Sequence, residues 1–274
     1  LHRRCAQFVY CDLSGTVGTD VAWTLLMKVD DDATYEYNNA LWTTDSTDND
    51  ASPSAACCAN AKYDTYNNLR VAQLRLHNYD LGLDTVVLPP PSDQGVSTLL
   101  TMMQRSSTTA LTHVSGPESP VELATGEDHT TSGNHMYCGD NAWNINARSL
   151  SQNFWQRIGG TFDGSWDCTY GADSNGQQTG ASAAGFGLRD DTWSPFTTAY
   201  RGFGIREAHD STAEPDGKGQ LFANGAIWVA SKAPPSCQSV YDDGVRTSDP
   251  CDERATLRVL NSTSVLGAAL VAQT

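Results

Sequence analysis

The chain has 274 residues, of which 39% are hydrophobic and seven are Trp, and this is enough for one large domain or two small ones with a proper core. Its net charge of −15 repels nucleic acid and anionic membranes, so neither is an expected partner. No run of residues approaches the roughly 18 to 20 apolar residues that a membrane span needs, and we expect no membrane insertion.

The first half of the chain predicts four short strands. Residues 8–12 and 21–29 are apolar and separated by a polar loop, which is typical of two strands. Residues 69–77 alternate apolar and polar side chains, as in a half-buried strand, and residues 85–88 form another short strand that ends at three prolines.

After these prolines, apolar residues recur at helical spacing over residues 93–105, which predicts a helix with Ser92 as its N-cap. Residues 106–134 are rich in Ser, Thr, Gly and Pro and predict mostly surface loop. A strand is expected at 157–162 and the last one at 225–231. Between them, Gly and Asp dominate residues 163–191 and predict a long irregular region, with the glycines of 180–187 in a loop.

The cysteines favour disulfides and therefore an extracellular or cell-surface location. Their number is even, and they include no Cys-x-x-Cys pair of the kind that binds zinc. Asn261 begins an Asn-Ser-Thr glycosylation sequon, which fits a secreted glycoprotein. The count leaves the pairing open for all eight: Cys5, Cys11, Cys57, Cys58, Cys138, Cys168, Cys237 and Cys251.

The motifs of common enzyme classes are missing from the sequence. The nearest approach to a Gly-x-Ser-x-Gly nucleophile turn, at 180–184, ends in Ala, and there is no His-Glu-x-x-His and no P-loop. His129 and His135 lie in a polar segment and are expected to be solvated. We therefore expect a protein that is not an enzyme.

Several segments, in order, resemble those of fibrinogen-like and intelectin-like domains. The first are VYCDL at 9–13 and WTLLMKV at 23–29, although residues 19–22 replace the usual glycine triplet. QRIG at 156–159, DC at 167–168 and GFG at 185–187 resemble a stretch of intelectin-like members, and AIWV at 226–229 resembles the closing strand. The resemblance implies an α+β, β-rich domain over residues 5–231, with a twisted antiparallel sheet, few short helices and long disulfide-braced loops. It also implies a bond between Cys138 and Cys168.

The resemblance further suggests where a ligand would bind. Intelectin-like members have a structured loop around the position of Cys168, and three acidic residues bracket it here: Asp163, Asp167 and Asp173. Oxygen ligands on an irregular loop suit calcium. Three aromatic residues nearby could stack on a sugar ring or pack in the core: Trp166, Tyr170 and Trp193.

Residues 232–274 are expected to form a linker and a tail. The segment SCQSVYDDGVRTS at 236–248 resembles the leader that precedes the Cys-Asp strand in this family, although only ten residues precede Cys11 here. The tail would then begin a following repeat, serve a neighbouring subunit, or fold back on its own chain. The same resemblance suggests a Cys11–Cys237 bond, with Cys5 and Cys251 as a second pair.

Two functions remain open from the sequence. The first is a non-enzymatic structural or adhesive module, repeated in a surface protein or assembled head to tail into a filament from copies of itself. The second is a calcium-dependent lectin that binds glycans. The displaced leader and the missing catalytic motifs favour the first, and fold analogy alone cannot choose between them.

Overall fold

Two β-sheets and three short α-helices make up the part of the chain that the structure describes. The structure is a computed structural model that describes residues 7–12, 22–30, 35–49, 59–126, 143–148, 154–162, 182–190, 199–203, 221–230, 257–260 and 266–271. The expectation of a β-rich chain with antiparallel sheets and few short helices is confirmed at this level.

The strands and helices are short. The strands are β1 Gln7–Asp12, β2 Trp23–Val29, β3 Ala61–Lys62, β4 Gln73–Asn78, β5 Leu83–Leu88, β6 Thr109–Ala110, β7 Thr112–Ser115, β8 Asn144–Arg148, β9 Phe154–Phe162, β10 Ser182–Asp190, β11 Ala199–Phe203, β12 Leu221–Ala223, β13 Gly225–Ala230, β14 Leu257–Leu260 and β15 Leu266–Val271. The helices are α1 Thr65–Asn68, α2 Leu99–Met103 and α3 Pro120–Thr125, and a 3-10 turn spans Ala40–Trp42.

The larger sheet has the order β14-β15-β1-β2-β13-β4-β5-β7, and β3 pairs with β2 beside this row. All of its pairings are antiparallel. The strands that carry Trp23 and Trp228 are direct neighbours. A register shift places Ile227 opposite Met27 but Trp228 opposite Leu25, so β2 accommodates one extra residue.

The smaller sheet has the order β12-β11-β10-β9-β8-β6, and it is mixed, whereas the resemblance implies an antiparallel sheet. The pairs β10–β11 and β11–β12 are parallel. The prediction of a loop at 180–187, and of irregular structure through 191, is wrong for β10, which pairs with β9 over most of its length. Gly185 and Gly159 face each other there, and a Cβ on either would collide with the backbone of the other strand. Glycine is therefore required by the close approach of the two strands.

The main core lies where both sheets and the helices meet. It takes alternate residues from the central strands, such as Leu74 and Leu76 of β4, together with Ile158 and Phe186 of the smaller sheet. Phe186 stacks on Phe203 with ring centroids 4.2 Å apart. The opposite face of the larger sheet buries a second cluster around Trp23 and Trp228. Because successive side chains of a strand point to opposite faces, the strands of the larger sheet contribute to two separate clusters.

The helix after the prolines is shorter than predicted. It begins at Leu99 with Thr98, not Ser92, as its N-cap, and the Thr98 side chain accepts a hydrogen bond from the Thr101 N–H. The preceding residues form turns because the Asp93 carboxylate, which is buried, accepts from the Ser97 hydroxyl and from the Arg105 guanidinium. Within the segment predicted as loop at 106–134, the structure places β6, β7 and α3. Ser119 caps α3 and the left-handed Gly126 ends it.

One buried lysine joins the segment at 40–49 to β3. Lys62 has no exposed surface, donates from Nζ to the Thr44 carbonyl, and lies 4.4 Å from the ring centroid of Tyr66. Burial lowers the pKa of its ammonium to about 8, although Asp45 and Asp64 oppose the shift.

The end of the chain lies beside its beginning. β15 pairs with β1 over six residues, from Gln7 opposite Val271 to Asp12 opposite Leu266, and β14 pairs with the other side of β15. Within the single chain of the structure, β15 therefore covers the edge of β1.

Candidate functional site

The candidate site is a polar and aromatic group on the second face of the larger sheet, which we call the Arg75 cluster. Its members come from five strands and the turn after β4, and they surround one guanidinium group. They are Tyr10 and Asp12 of β1, Trp23 of β2, Arg75 and His77 of β4, Tyr79, Asp84 of β5 and Trp228 of β13.

Alternation along β4 determines which side chains reach this face. Leu74 and Leu76 point into the main core, so Arg75 and His77 lie on the opposite face. Trp228 is the cross-strand partner of Arg75, and Asp12 is the cross-strand partner of Trp23. Strand register therefore places a charged side chain opposite an indole in both pairs.

The Arg75 side chain extends across the face from β4 to β1. Its Nη1 donates to Asp12 Oδ2 at 2.7 Å, although β13 and β2 lie between the two strands. Three strand spacings amount to about 14 Å, so the side chain must lie extended along the sheet. Its guanidinium carbon is 4.6 Å from the ring centroid of Trp228 and 5.2 Å from that of Trp23, within the range of cation–π attraction.

A second carboxylate closes the cluster at the β5 side. Asp84 Oδ1 lies 2.9 Å from His77 Nδ1 and 3.8 Å from Arg75 Nε. The His77 ring meets Tyr79 edge to face, with centroids 4.7 Å apart. At the β1 side, Tyr10 meets Trp228 in the same way at 6.2 Å. The cluster thus has a cation at its centre, a carboxylate on each side, and aromatic rings around them.

Exposure differs between the centre and the rim of the cluster. Trp23 has no exposed surface and the Arg75 side chain is 4% exposed, whereas the His77 and Asp84 side chains are each 23% exposed. Tyr10 and Tyr79 are also only partly buried. The rim is open to solvent while the centre is not.

The cluster contains buried polar atoms without a hydrogen-bond partner. They are the indole N–H groups of Trp23 and Trp228, Arg75 Nε and the Tyr79 hydroxyl, and the neighbouring acceptor Gln73 Oε1 on β4. Leaving a buried donor or acceptor unsatisfied costs about 1–3 kcal/mol for each group, so such groups rarely accumulate on one face without a reason.

Burial also affects the two tyrosines of the rim. It raises the pKa of the Tyr79 hydroxyl, mainly by desolvation, with a smaller contribution from Tyr63 and an opposing one from Arg75. Desolvation, followed by the charge of Asp12, raises the pKa of Tyr10 as well. Both phenols therefore keep their protons and can act as hydrogen-bond donors at neutral pH.

The residues that the sequence singled out lie mostly outside the described part of the chain. This holds for the expected calcium ligands Asp163, Asp167 and Asp173, for the aromatic residues Trp166, Tyr170 and Trp193, for the sequon at Asn261, for His129 and His135, and for seven of the eight cysteines. Cys11 is buried and disulfide-bonded. Since the other seven cysteines are outside the described residues, its bond to Cys237 stays a prediction.

The described residues lack both a cluster of metal ligands and a membrane-spanning helix. Within them, no three His, Cys, Asp or Glu side chains are grouped so that they could hold a metal ion. Across the same ranges, no helix has the length and apolar character needed to cross a membrane.

The Arg75 cluster was not predicted from the sequence. Its signal was present in residues 69–77, where Arg75 and His77 occupy the polar positions of an alternating strand. Such positions normally face solvent. Only the cross-strand register shows that the side chains of Trp23 and Trp228 cover Arg75. Comparisons with protein-family models, with curated proteins and with solved structures found no match.

Proposed function

We propose that the chain is a non-enzymatic extracellular module with a structural or adhesive role, of the fibrinogen-like and intelectin-like kind, which associates with tandem repeats or other copies through the edge of β1. The observation that carries this proposal is the pairing of β1 with β15 over six residues. Addition of a strand to a sheet edge is a general way in which protein modules bind each other.

β1 is joined to the tail more extensively than to the rest of its own sheet. Only Cys11 and Asp12 pair with β2, because β3 occupies the other half of the same edge through Met27 and Lys28. In the described part of the chain, β15 has β14 and β1 as its neighbours. The β14–β15 pair could therefore be replaced by the equivalent pair of another copy without changing any other described strand pairing.

The inner end of β1 is fixed strongly enough to carry such a contact. Asp12 is held by Arg75, and Cys11 is held by its disulfide. Bonds between Cys11 and Cys237 and between Cys138 and Cys168, which the family resemblance implies, would brace the joint and the long loops, and Cys5 with Cys251 would be a second pair at the joint. A donated tail linked through Cys11 would be covalently locked.

The proposal is tested by the assembly state of the full chain. We expect wild-type protein to form multimers in light scattering after gel filtration, and a ladder in non-reducing electrophoresis. Ala269→Pro should reduce the multimers because proline removes an N–H and is poorly tolerated inside a sheet. Ala269→Val, which is compatible with a strand, is the matched control. A clean monomer whose Cys11 is bonded to Cys237 of the same chain would refute assembly through this edge.

The alternative is a calcium-dependent lectin that uses Asp163, Asp167 and Asp173 together with Trp166, Tyr170 and Trp193. The Asp-rich composition and the family resemblance support it. Glycan-array binding that disappears with a chelator would favour this function, and binding that is absent with and without calcium would count against it.

A further inference from the structure

Residues 43–49, which we call the flap, lie on the surface directly after a fixed point of the chain. Trp42 has no exposed surface, and its indole N–H donates to the carbonyls of Tyr35 and Glu36. None of the residues of the flap is itself buried. Opening the flap would therefore expose little apolar surface and would leave the main core closed.

Side chains of the neighbouring elements hold the flap closed. Three consecutive carbonyls, those of residues 43–45, each accept a hydrogen bond from a different side chain. In that order the donors are Gln104 Nε2 at the end of α2, Lys62 Nζ of β3 and Asn67 Nδ2 of α1. The backbone groups of Asp48 and Lys62 also pair, at 2.9 and 2.8 Å, and the Tyr35 hydroxyl donates to Asp48 Oδ2. Of the three side chains that bind the carbonyls, Lys62 alone titrates, because the other two are amides.

The closed flap buries Lys62 without a counter-charge. The residue has no exposed surface, and among the described residues no carboxylate lies within ion-pair distance of its Nζ. Its contacts are the Thr44 carbonyl and the face of the Tyr66 ring, 4.4 Å from Nζ to the centroid. A lysine is almost never fully buried without a partner, because a desolvated charge is costly. Opening the flap lets water solvate the ammonium, so its charge favours the open flap.

The ionisable groups around Lys62 set the pH range of this effect. Desolvation lowers the pKa of the ammonium from its ordinary 10.5 to about 8, although the charges of Asp45 and Asp64 raise it. The Tyr66 phenol keeps its proton, since burial raises its pKa and the charge of Arg157 opposes this only in part. In the open flap Lys62 regains its ordinary pKa, so between about pH 8 and pH 10.5 the open flap binds more protons than the closed one. Raising the pH through this range therefore favours closure.

We propose that the flap is a pH-sensitive device with Lys62 as its latch, which opens more readily when the lysine is charged and closes more firmly when the lysine is neutral. Within the range in which the closed and open flaps differ in protonation, each pH unit lowers the equilibrium constant for opening by up to about tenfold. The device is independent of the proposed association through β1, because β3 pairs with a part of β2 that β1 does not use. Either can fail without the other.

The test is hydrogen–deuterium exchange of the full-length chain between pH 7 and pH 9, with each amide rate divided by the intrinsic rate at the same pH. The amides of Asp48 and Lys62 report on the flap because each bonds to the carbonyl of the other. The amides of β13 report on the core. We expect the equilibrium constant for flap opening to fall by about tenfold over this range. The flap amides should also be less protected than those of β13 at every pH.

Lys62→Met keeps an unbranched side chain but removes the charge, so it should abolish the pH dependence of flap opening. Lys28→Met is the matched control: Lys28 is also buried, on β2, and burial lowers its pKa, but the variant should leave the tenfold change intact. The proposal is overturned if the wild-type opening constant does not change with pH, or if the change persists in Lys62→Met. It is also overturned if the flap amides are as protected as those of β13, since the flap would then open only with the whole fold. The first and third of these results come from the wild type, so they decide the matter even where a variant does not fold.

Discussion

Replacing Arg75 tests whether the cluster holds β1 to the sheet. In Arg75→Met the Asp12 carboxylate, whose side chain is only 10% exposed, loses its cationic partner, and both cation–π contacts disappear. Breaking a buried ion pair from one side costs about 3–5 kcal/mol, and we expect a loss of unfolding free energy in that range. Arg75→Lys keeps the charge but not the planar group that lies over the indoles, so it should recover only part of the loss.

A double-mutant cycle separates the ion pair from the packing. Asp12→Asn should cost less than Arg75→Met because Asp84 still lies 3.8 Å from Arg75 Nε. The double variant should be more stable than the sum of the two single losses predicts, by at least about 1 kcal/mol, since neither charge then remains buried alone.

Urea unfolding followed by Trp fluorescence measures these differences, because Trp23 and Trp228 report on the cluster directly. Arg70→Met, at an exposed arginine, is the control and should change stability by less than about 0.5 kcal/mol. If Arg75→Met lowers the free energy of unfolding by less than about 1 kcal/mol, or if the losses of the two single variants are strictly additive, Arg75 does not hold β1 to the sheet.

Three further predictions concern other parts of the molecule. Burial lowers the pKa of Lys62 to about 8 in the folded state, so above that pH the unfolded chain binds more protons than the folded chain. The free energy of unfolding should therefore rise from about pH 8 to pH 9.5. Lys62→Met should flatten this rise, as measured by urea unfolding across the same pH range. Gly185→Ala should lower the free energy of unfolding by more than about 3 kcal/mol, because its Cβ would collide with the Ile158 carbonyl. The control Gly82→Ala, at a positive φ but in open space, should lower it by about 1–2 kcal/mol. Equal shifts of the melting temperature would contradict the tight contact between β9 and β10. Peptide mapping should find Cys138 bonded to Cys168, and any other partner for Cys138 would show that assignment to be wrong.

Much of the larger sheet could be predicted because its strands have local signals. β2, β4, β5 and β13 are short apolar or alternating runs bounded by turn residues. The bounds differ for local reasons: β4 begins only at Gln73 because the Leu69 N–H closes α1 and the Val71 N–H bonds to Ser97.

The failures have a common physical cause in non-local contacts. β10 contains two Ala and two Gly among its nine residues, which have low strand propensity, and it forms because Gly159 on β9 allows close approach. The Arg75 cluster depends on register across five strands, which no periodicity within one segment can indicate. The same is true of β15, whose partner β1 lies at the other end of the chain.

The most direct test of the proposed function asks whether β1 accepts its partner strand from a separate molecule. Hydrogen–deuterium exchange of residues 7–12 is measured in full-length wild-type chain, in Ala269→Pro, and in Ala269→Pro with a synthetic peptide of residues 257–271 added. We predict that these amides are protected in the wild type, exchange rapidly in the variant, and regain protection saturably with the peptide. Protection in the wild type that the peptide cannot restore would show that the pairing forms only within one chain, and would contradict association through this edge.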